Sequence, residues 1–425
     1  MANPIERIGQ IPEDWNVEKA NQHLILESGM RPAEFVTDHP SDIPSLGGEN
    51  IDLSGNLVFD NVRYISKEYY SRMPKGKVQD EDILINKDGA NTGKIAFAKA
   101  KPFVECAVNE HVFLIRNKGA FDQEYLFYFL YSDKGSRQIQ RKIVGSAQGG
   151  INNSFTKGLL IPKPPKNEQK AIATILSKVD EAIKATENSI KAAEKLKKSL
   201  MQNLLTGKLK PDGTWRKEDE FYKDEKFGNV PLGWEMKKVK EISNCLDSLR
   251  KPIKASDRKE IAGEYRYYGA ASIIDYINDF IFDGRYILFG EDGENLISRK
   301  LPQAFIVEGK FWVNNHAHIL ESIEGISDLD YLCYQLEFKN YENIVYGSAQ
   351  PKINKSDLNK IRVLIPEQVG EQIEISNCIK QMDQIIENKK QKEGSLKNLK
   401  KSLMQNLLTG KVRVDLDKIE KANSE

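Results

Sequence analysis

The chain of 425 residues contains no apolar run approaching the roughly 18–20 residues that a membrane span requires. Its opening, MANPIERIGQIPEDW, carries acids and has neither the basic start nor the apolar stretch of a signal peptide. Only four cysteines are present, Cys106, Cys245, Cys333 and Cys378, and none forms a CxxC pair. Such wide spacing argues against a zinc site and a disulfide framework and fits a reducing compartment, so a cytoplasmic location without membrane attachment is expected. An excess of one charge is missing too: 63 Lys and Arg face 62 Asp and Glu, for a net charge of +1. Nucleic-acid binders usually carry a basic excess, so this balance counts mildly against one, although phosphate contacts depend on local placement of cations. Hydrophobic content of 40% and charged content of 29% suit a globular protein of two or three domains.

Catalytic signatures are equally scarce. The segment 89–95, GANTGKI, resembles a phosphate-binding loop but is one residue too short and lacks Ser or Thr after Lys94. His316 and His318 could begin a metal pair, yet no convergent third ligand is apparent, and histidines on an apolar strand are usually structural. No Asn/Asp-Pro-Pro-aromatic segment of an adenine methyltransferase is found, since residues 162–165 read PKPP. The acidic run near 211–220 looks like a linker, not a nuclease centre. Spacing alone does not test a Ser-His-Asp or Cys-His arrangement, and nothing suggests one. The expectation is a chain with no catalytic residue, no metal ligand and no cofactor of its own.

What the sequence does contain is itself, twice. Residues 197–208 read KKSLMQNLLTGK, and residues 400–411 read the same at every position, an offset of 203. Glu168-Gln169 recurs as Glu371-Gln372, Ile172 as Ile375, Leu176 as Ile379 and Asp180 as Asp383, all at that offset. Residues 145–148 (GSAQ) with Ile151-Asn152 match 347–350 (GSAQ) with Ile353-Asn354, and Ile161-Pro162 matches Ile365-Pro366. Fainter pairs are Asp88-Gly89 with Asp292-Gly293, Asn91 with Asn295, Val108-Asn109 with Val313-Asn314, and His111 with His316. Each half opens alike, GQIPEDW at 9–15 and GNVPLGW at 228–234. The helical parts are nearly the same, whereas the globular parts share only anchor positions.

Apolar residues from 167 to 206 recur at spacings of three and four, as in a coiled coil. The expected pairing residues are Ile172, Leu176, Val179, Ile183, Ile190, Leu196, Leu200 and Leu204, with Thr186 and Ala193 in the seam. The second copy offers Ile375, Ile379, Met382, Ile386, Leu396, Leu399, Leu403 and Leu407, with Lys389 and Glu393 weakening its middle. Prolines 164, 165 and 366 precede the helices, and Thr206-Gly207 and Thr409-Gly410 end them. Each helix should span about 60 Å and cannot bury its stripe alone. The simplest partner is its own copy, giving an antiparallel pair with a pseudo-twofold axis and a globule at either end. Ordinary bundle helices packed on a globular core are the alternative.

The globules show short strand candidates at 82–86, 94–98, 112–115, 286–289 and 304–307, and a helix at 123–131. An α/β or α+β fold with a mainly antiparallel sheet is expected in each. The resulting division is a first globule at 1–166, a helix at 167–207, a connector at 208–227, a second globule at 228–369, a helix at 370–410 and a tail at 411–425.

The G-x-[IV]-P-x-x-W opening, the G-S-A-Q-x-x-I-N element, the following Ile-Pro, the Glu-Gln and the L-L-T-G-K, each present twice in that order, resemble the specificity subunit of type I restriction–modification systems. The resemblance spans nearly the whole chain. It implies two target-recognition domains, each reading one part of a bipartite site in double-stranded DNA, with the repeated helices setting the gap between the parts. It also implies a non-catalytic subunit that docks two modification (adenine methyltransferase) subunits, joined by restriction (ATP-dependent endonuclease) subunits. S-adenosylmethionine, ATP and Mg²⁺ would then belong to those partners.

Base edges are read chiefly by Arg, Lys, Asn and Gln, and phosphates by cations, hydroxyls and backbone N–H groups. The glycine-rich loop 86–94 therefore offers Lys87, Asn91, Thr92 and Lys94, and its counterpart at 291–300 offers Asn295, Arg299 and Lys300. The shared loops add Gln148, Asn152, Asn153 and Lys157 in one half and Gln350, Lys352, Asn354 and Lys355 in the other. Basic–aromatic clusters, Arg63, Tyr64, Tyr69, Tyr70 and Arg72 against Arg266, Tyr267, Tyr268 and Arg285, differ between halves as base readers should. Solvated loops and core tyrosines are the plainer alternative for any one of them. At the level of the whole chain, a non-DNA coiled-coil adaptor and a stand-alone nucleic-acid enzyme remain the competing functions.

Overall fold

Two prolines and a buried glutamine start the first long helix, Lys166–Leu205. Gln169 Nε2 donates to the Pro164 carbonyl at 2.8 Å, while its Oε1 accepts from Asp122 N at 2.7 Å. The second long helix, Val369–Leu407, starts the same way. There Gln372 donates to Pro366 O at 2.8 Å and accepts from Asp328 N at 2.8 Å. Both glutamines are fully buried. Each helix ends on a glycine in the left-handed region, Gly207 at φ 66° and Gly410 at φ 67°. A β-carbon at either would lie 2.3 Å from a proline, Pro231 or Pro12 respectively, so glycine is required by space as well as by φ.

The computed structural model describes all residues except 1–7, 32–41, 100–104, 146–148, 226, 292–294, 342–351 and 417–425. It divides into two units, residues 1–187 with 392–425 and residues 188–391. Each unit holds one globular head and a part of each long helix.

In unit 1 a four-stranded antiparallel sheet runs in the order Leu24–Ser28, Val112–Asn117, Ile83–Asn86, Ile95–Phe97. A second sheet sets Ile43–Leu46 between antiparallel Arg63–Ile65 and parallel Ala107–Val108. The ribbon Asn16–Lys19 with Leu160–Lys163 leads into the first long helix. The aromatic helix Gln123–Tyr131, bounded as its sequence pattern predicts and N-capped by Asp122, fills the space between sheet and long helices. Its buried side chains share one core with Trp15, Ile172 and Leu176 from the start of the first long helix and Met404, Leu407 and Leu408 from the end of the second.

Unit 2 carries a six-stranded mixed sheet in the order Ser243–Cys245, Ala317–Ser322, Phe282–Gly290, Ala304–Val313, Ala262–Tyr268, Ile273–Ile277, with one parallel pairing. Trp234–Lys238 pairs with Arg362–Pro366, repeating the ribbon of unit 1. Its core joins Trp234, Tyr331 and Leu332 to Leu204 and Leu205 and to Ile375 and Ile379. Phe221–Asp224 of the connector pairs antiparallel with Gly228–Pro231 at the opening of the second globule.

Within each unit the helix halves run antiparallel. In unit 1 Asp180 meets Lys400 and Glu187 meets Lys397, so one number falls as the other rises. In unit 2 Ser189 meets Lys389 and Asp383 meets Lys197. The stripe holds at Ile183, Thr186, Ile190, Ala193 and Ile386, which are buried. Val179, Leu200, Met382, Leu396 and Leu403 are half-buried. Two expected pairing residues are not in the seam: Leu196 is 52% exposed and Leu399 is 46% exposed. The alternation of three- and four-residue steps carries the seam from Ala193 to Lys197 and from Leu396 to Lys400. Choosing the nearest leucine in place of the lysine shifts the stripe by one residue, about 100° around the helix.

Candidate nucleic-acid interface

The same backbone frame surrounds the candidate reading loop in both units. In unit 1 Lys87 N donates to His111 O at 2.9 Å and Lys87 O accepts from Ile151 N at 2.7 Å. In unit 2 Glu291 N donates to His316 O at 2.9 Å and Glu291 O accepts from Ile353 N at 2.8 Å. Asn109 Oδ1 accepts from His111 N at 2.9 Å, and Asn314 Oδ1 from His316 N at 2.8 Å. The repeated Val-Asn-x-His and Ile-Asn elements thus hold the loop's root, and their recurrence reflects the frame.

On this frame the unit 1 loop 86–94 is a compact turn. Asn86 is buried, and Gly93 N donates to its carbonyl at 2.8 Å. Thr92 Oγ1 donates to Gly89 O at 2.6 Å and lies 2.8 Å from Gly149 O, and Asn91 Nδ2 donates to Gly48 O at 3.3 Å. Thr92 and Asn91 therefore shape the loop. A β-carbon at Gly89, at φ 80°, would meet nothing, so that side of the turn is open. Lys87 Nζ sits 5.3 Å from the Phe113 ring centroid. Lys94 is half-buried, while Asn152, Asn153 and Lys157 are exposed; Asn152 Oδ1 accepts from Ser154 N at 2.9 Å. Gln148 and Gln350 lie outside the described residues.

The basic–aromatic clusters separate into head groups and filler. Arg63 and Arg72 are exposed, Arg72 beside Glu68 at 3.4 Å. Tyr64 is half-buried in its strand, and Tyr69 and Tyr70 pack on the core formed by Ile43, Ile65, Met73 and Ala107. In unit 2 Tyr267 is fully buried and Tyr268 nearly so. Arg266 lies over Tyr268, 5.7 Å from the ring centroid, with its guanidinium donating to Glu308 O. Arg285 forks onto Asp330, which also takes Lys380. Burial opposes the Asp330 charge, yet these two cations hold its carboxyl below the usual range. Arg299, at φ 52°, pairs with Glu337 at 3.2 Å and lies over Tyr341. Asn295 Oδ1 closes a turn by accepting from Leu301 N at 2.7 Å, and Asn354 caps the helix Lys355–Lys360. Lys300, Lys352 and Lys355 are exposed, with Lys352 3.0 Å from Glu291.

Two features escape a reading of the sequence. Lys238, Lys240, Lys355 and Lys360 line one open cleft of about 730 Å³ in unit 2, with Ser356 and Asn359. The packing of the short helix Val239–Ile242, which follows the ribbon strand, on the helix Lys355–Lys360 more than 110 residues later brings these lysines together. Among the described residues Cys245, Asp247 and His318 also bring their ligand-type atoms within 4.8 Å of one another. His318 and Asp247 form an ion pair: His318 Nδ1 lies 2.6 Å from Asp247, and Nε2 lies 2.9 Å from the Ile353 carbonyl, so both ring nitrogens act as donors. Burial opposes the imidazolium, but the Asp247 carboxylate outweighs it and raises the His318 pKa to about 9.

A profile of the type I restriction modification DNA specificity domain matches residues 12–195 and 231–398. Over 426 residues the chain is 28% identical to a putative type I restriction enzyme MjaX specificity subunit of Methanocaldococcus jannaschii, covering 96% of each. The MjaVIII specificity subunit of the same organism is 26% identical, covering 95% of this chain and 94% of that one. Among solved structures, a type I restriction–modification S subunit from M. genitalium superposes with a TM-score of 0.61 at 17% identity, covering 96% of this chain and 97% of that one. A chain from a type I system described for its assembly gives 0.54 at 14% identity, covering 95% and 100%. The structural likenesses show the fold, and the profile, matching most of the sequence in two copies, shows the family. The chain belongs to the type I restriction–modification DNA specificity family.

Proposed function

We propose that each head reads one part of a split site in double-stranded DNA, that the paired helices fix the number of unread base pairs between the parts, and that the chain performs no chemistry itself. One observation carries this reading: two nearly identical anchoring frames present loops whose side chains differ, Lys87 standing in one where Glu291 stands in the other. A protein that must place two different readers at a set distance needs this division of labour. Two modification subunits that methylate adenine, together with ATP-dependent restriction subunits, are the partners that the family implies. Exposed Leu196, Leu399 and Ile385 on the long helices supply apolar footholds for docking.

For the readers, exposed cations and amides favour Arg63, Arg72, Asn153, Lys157, Lys300 and Lys355 for DNA contact. Arg285, which ties its strand to Asp330 of the helix Leu329–Phe338, and Arg299, paired with Glu337, serve as supports within their own head. The test is to express the chain with its modification subunits and map methylated adenines across genomic DNA. A split motif with a constant gap is the expected result, and exchanging one head should change only one part of it. A motif in which both parts change would defeat the reading.

A further inference from the structure

The open cleft of unit 2 collects Lys238, Lys240, Lys355 and Lys360, and no acid is among the described residues that line it. Val239 N donates to Ile361 O at 2.9 Å and so ties together the two short helices that carry these lysines. The nearby acids are engaged with other groups. Glu241 Oε2 accepts from Lys238 N at 2.7 Å, and Glu235 takes Lys237 at 2.7 Å. Asp357 accepts from Asn354 Nδ2 at 2.6 Å and stands 3.6 Å from Lys360. Lys355 Nζ donates to the Cys245 carbonyl at 3.3 Å. The Lys238 amide, aided by the ammoniums of Lys238, Lys240 and Lys237, holds the Glu241 carboxyl below its usual range, as a positive surrounding requires. A cleft lined by one sign of charge focuses its field on an incoming anion.

Unit 1 builds the same corner with half the charge. There Ala20 N donates to Leu159 O at 2.9 Å, as Val239 N does to Ile361 O in unit 2. Counted from these bonds, Lys238, Lys240, Lys355 and Lys360 correspond to Lys19, Asn21, Asn153 and Gly158, and Asn359 corresponds to Lys157. Four cations in one head correspond to two in the other.

The place of the cleft identifies its occupant. Lys355 follows by two residues Ile353, whose N–H donates to Glu291 O at the root of the candidate reading loop. From Lys355 to Lys360 the helix rises about 7.5 Å, the axial length of about two phosphate steps along one strand of a duplex. We propose that this cleft seats the phosphate backbone of the DNA beside the bases that the second head reads, and that it does so more strongly than the equivalent corner of the first head. The inference rests on the reading that each head binds DNA. An acidic face of a partner protein is the competing occupant.

The experiment measures log K against log salt for the chain purified with its modification subunits, on a duplex carrying its mapped methylation motif. Lys238→Gln, Lys240→Gln, Lys355→Gln and Lys360→Gln together should lower the slope by about 3–4, at about 0.9 for each phosphate contact. Lys19→Gln with Lys157→Gln should lower it by at most about 2. Arginine at the same four positions of unit 2 should keep the slope, because the charge remains. The methylated motif should be the same in every variant, since phosphate contacts carry no sequence information. Lys240, Lys355 and Lys360 are exposed and Lys238 is half-buried, so the variants keep their fold, which circular dichroism melts check. A folded glutamine variant of unit 2 whose slope falls no further than that of the unit 1 pair overturns the proposal. Loss of the modification subunits on purification, with an unmoved slope, gives the cleft to an acidic protein face and overturns it as well. A wild-type complex that binds every duplex alike overturns the underlying reading instead.

Discussion

The two units anchor their heads with the same residues and differ in almost everything the heads present. In unit 1 Trp15 donates to Glu168 at 3.1 Å, and Arg413 forks onto Glu168 and Asp14 while lying over the Trp15 ring. In unit 2 Trp234 donates to Glu371 at 3.2 Å, and Arg216 pairs with Glu371 and lies over the Trp234 ring. Tyr125 donates to Pro162 O at 3.0 Å in one, and Tyr331 to Leu364 O at 2.9 Å in the other. Away from this base the units part company. Two small sheets in unit 1 stand against one six-stranded sheet in unit 2, and buried Phe113 occupies the strand place that His318, paired with Asp247, takes in unit 2. Shared side chains mark the joint between head and helix, and variation marks the surface that must discriminate.

The largest test of the shared base is Trp15→Ala against Trp234→Ala. Each empties a buried aromatic site and removes one of a carboxylate's donors, so each should cost about 3–5 kcal/mol by denaturant titration. A difference of more than about 2 kcal/mol between them would show that the two bases are not equivalent.

The next test separates the units by pH. The folded-state pKa of His318 is raised to about 9 from an ordinary 6.5, so its ion pair stabilises unit 2 fully below about pH 6.5 and loses that contribution as pH rises through 9. The loss is at most about 3 kcal/mol. Thermal melts should therefore show a decline between pH 6.5 and 9 that His318→Phe, which imitates unit 1, flattens. A decline of equal size in the variant would remove the histidine as its cause.

A smaller effect is expected at the helix ends. Gly207→Ala and Gly410→Ala force a left-handed φ and a contact with proline, for about 1–3 kcal/mol each. Equal melting shifts in the two variants would support equivalent joints. The smallest effect belongs to single surface cations. Lys157→Ala in one head and Lys300→Ala in the other should each lower the salt dependence of DNA binding, measured as log K against log salt, by about 0.9 if the residue touches one phosphate. An unchanged slope assigns that lysine to solvent.

Much of the anchoring frame was legible because it is written twice. The Glu-Gln at each helix start, the glycine at each end and the paired tryptophans recur at matched positions, and each proves to be a joint between head and helix. Register within the stripe was less legible. A scale that rewards leucine selects Leu196 and Leu399, whereas the seam takes Lys197 and Lys400 because aspartates 186 and 220 residues away in the chain receive their charges. Candidate DNA contacts suffer from the same distance. Arg285 looks free in sequence and is held by Asp330, 45 residues on; Arg299 is held by Glu337, 38 residues on. Strand order within the heads depends on such remote pairings throughout, and local patterns carry none of them.

Neither long helix belongs to one head. The first begins in the core of unit 1 and ends in that of unit 2, and the second does the reverse. Every head thus grips the beginning of one helix and the finish of the other, and the two grips are made from matching parts. A foreign head grafted with its own starting segment would find its second socket already waiting. In such a molecule a new specificity requires only a new reader, and the mounting can remain as it was.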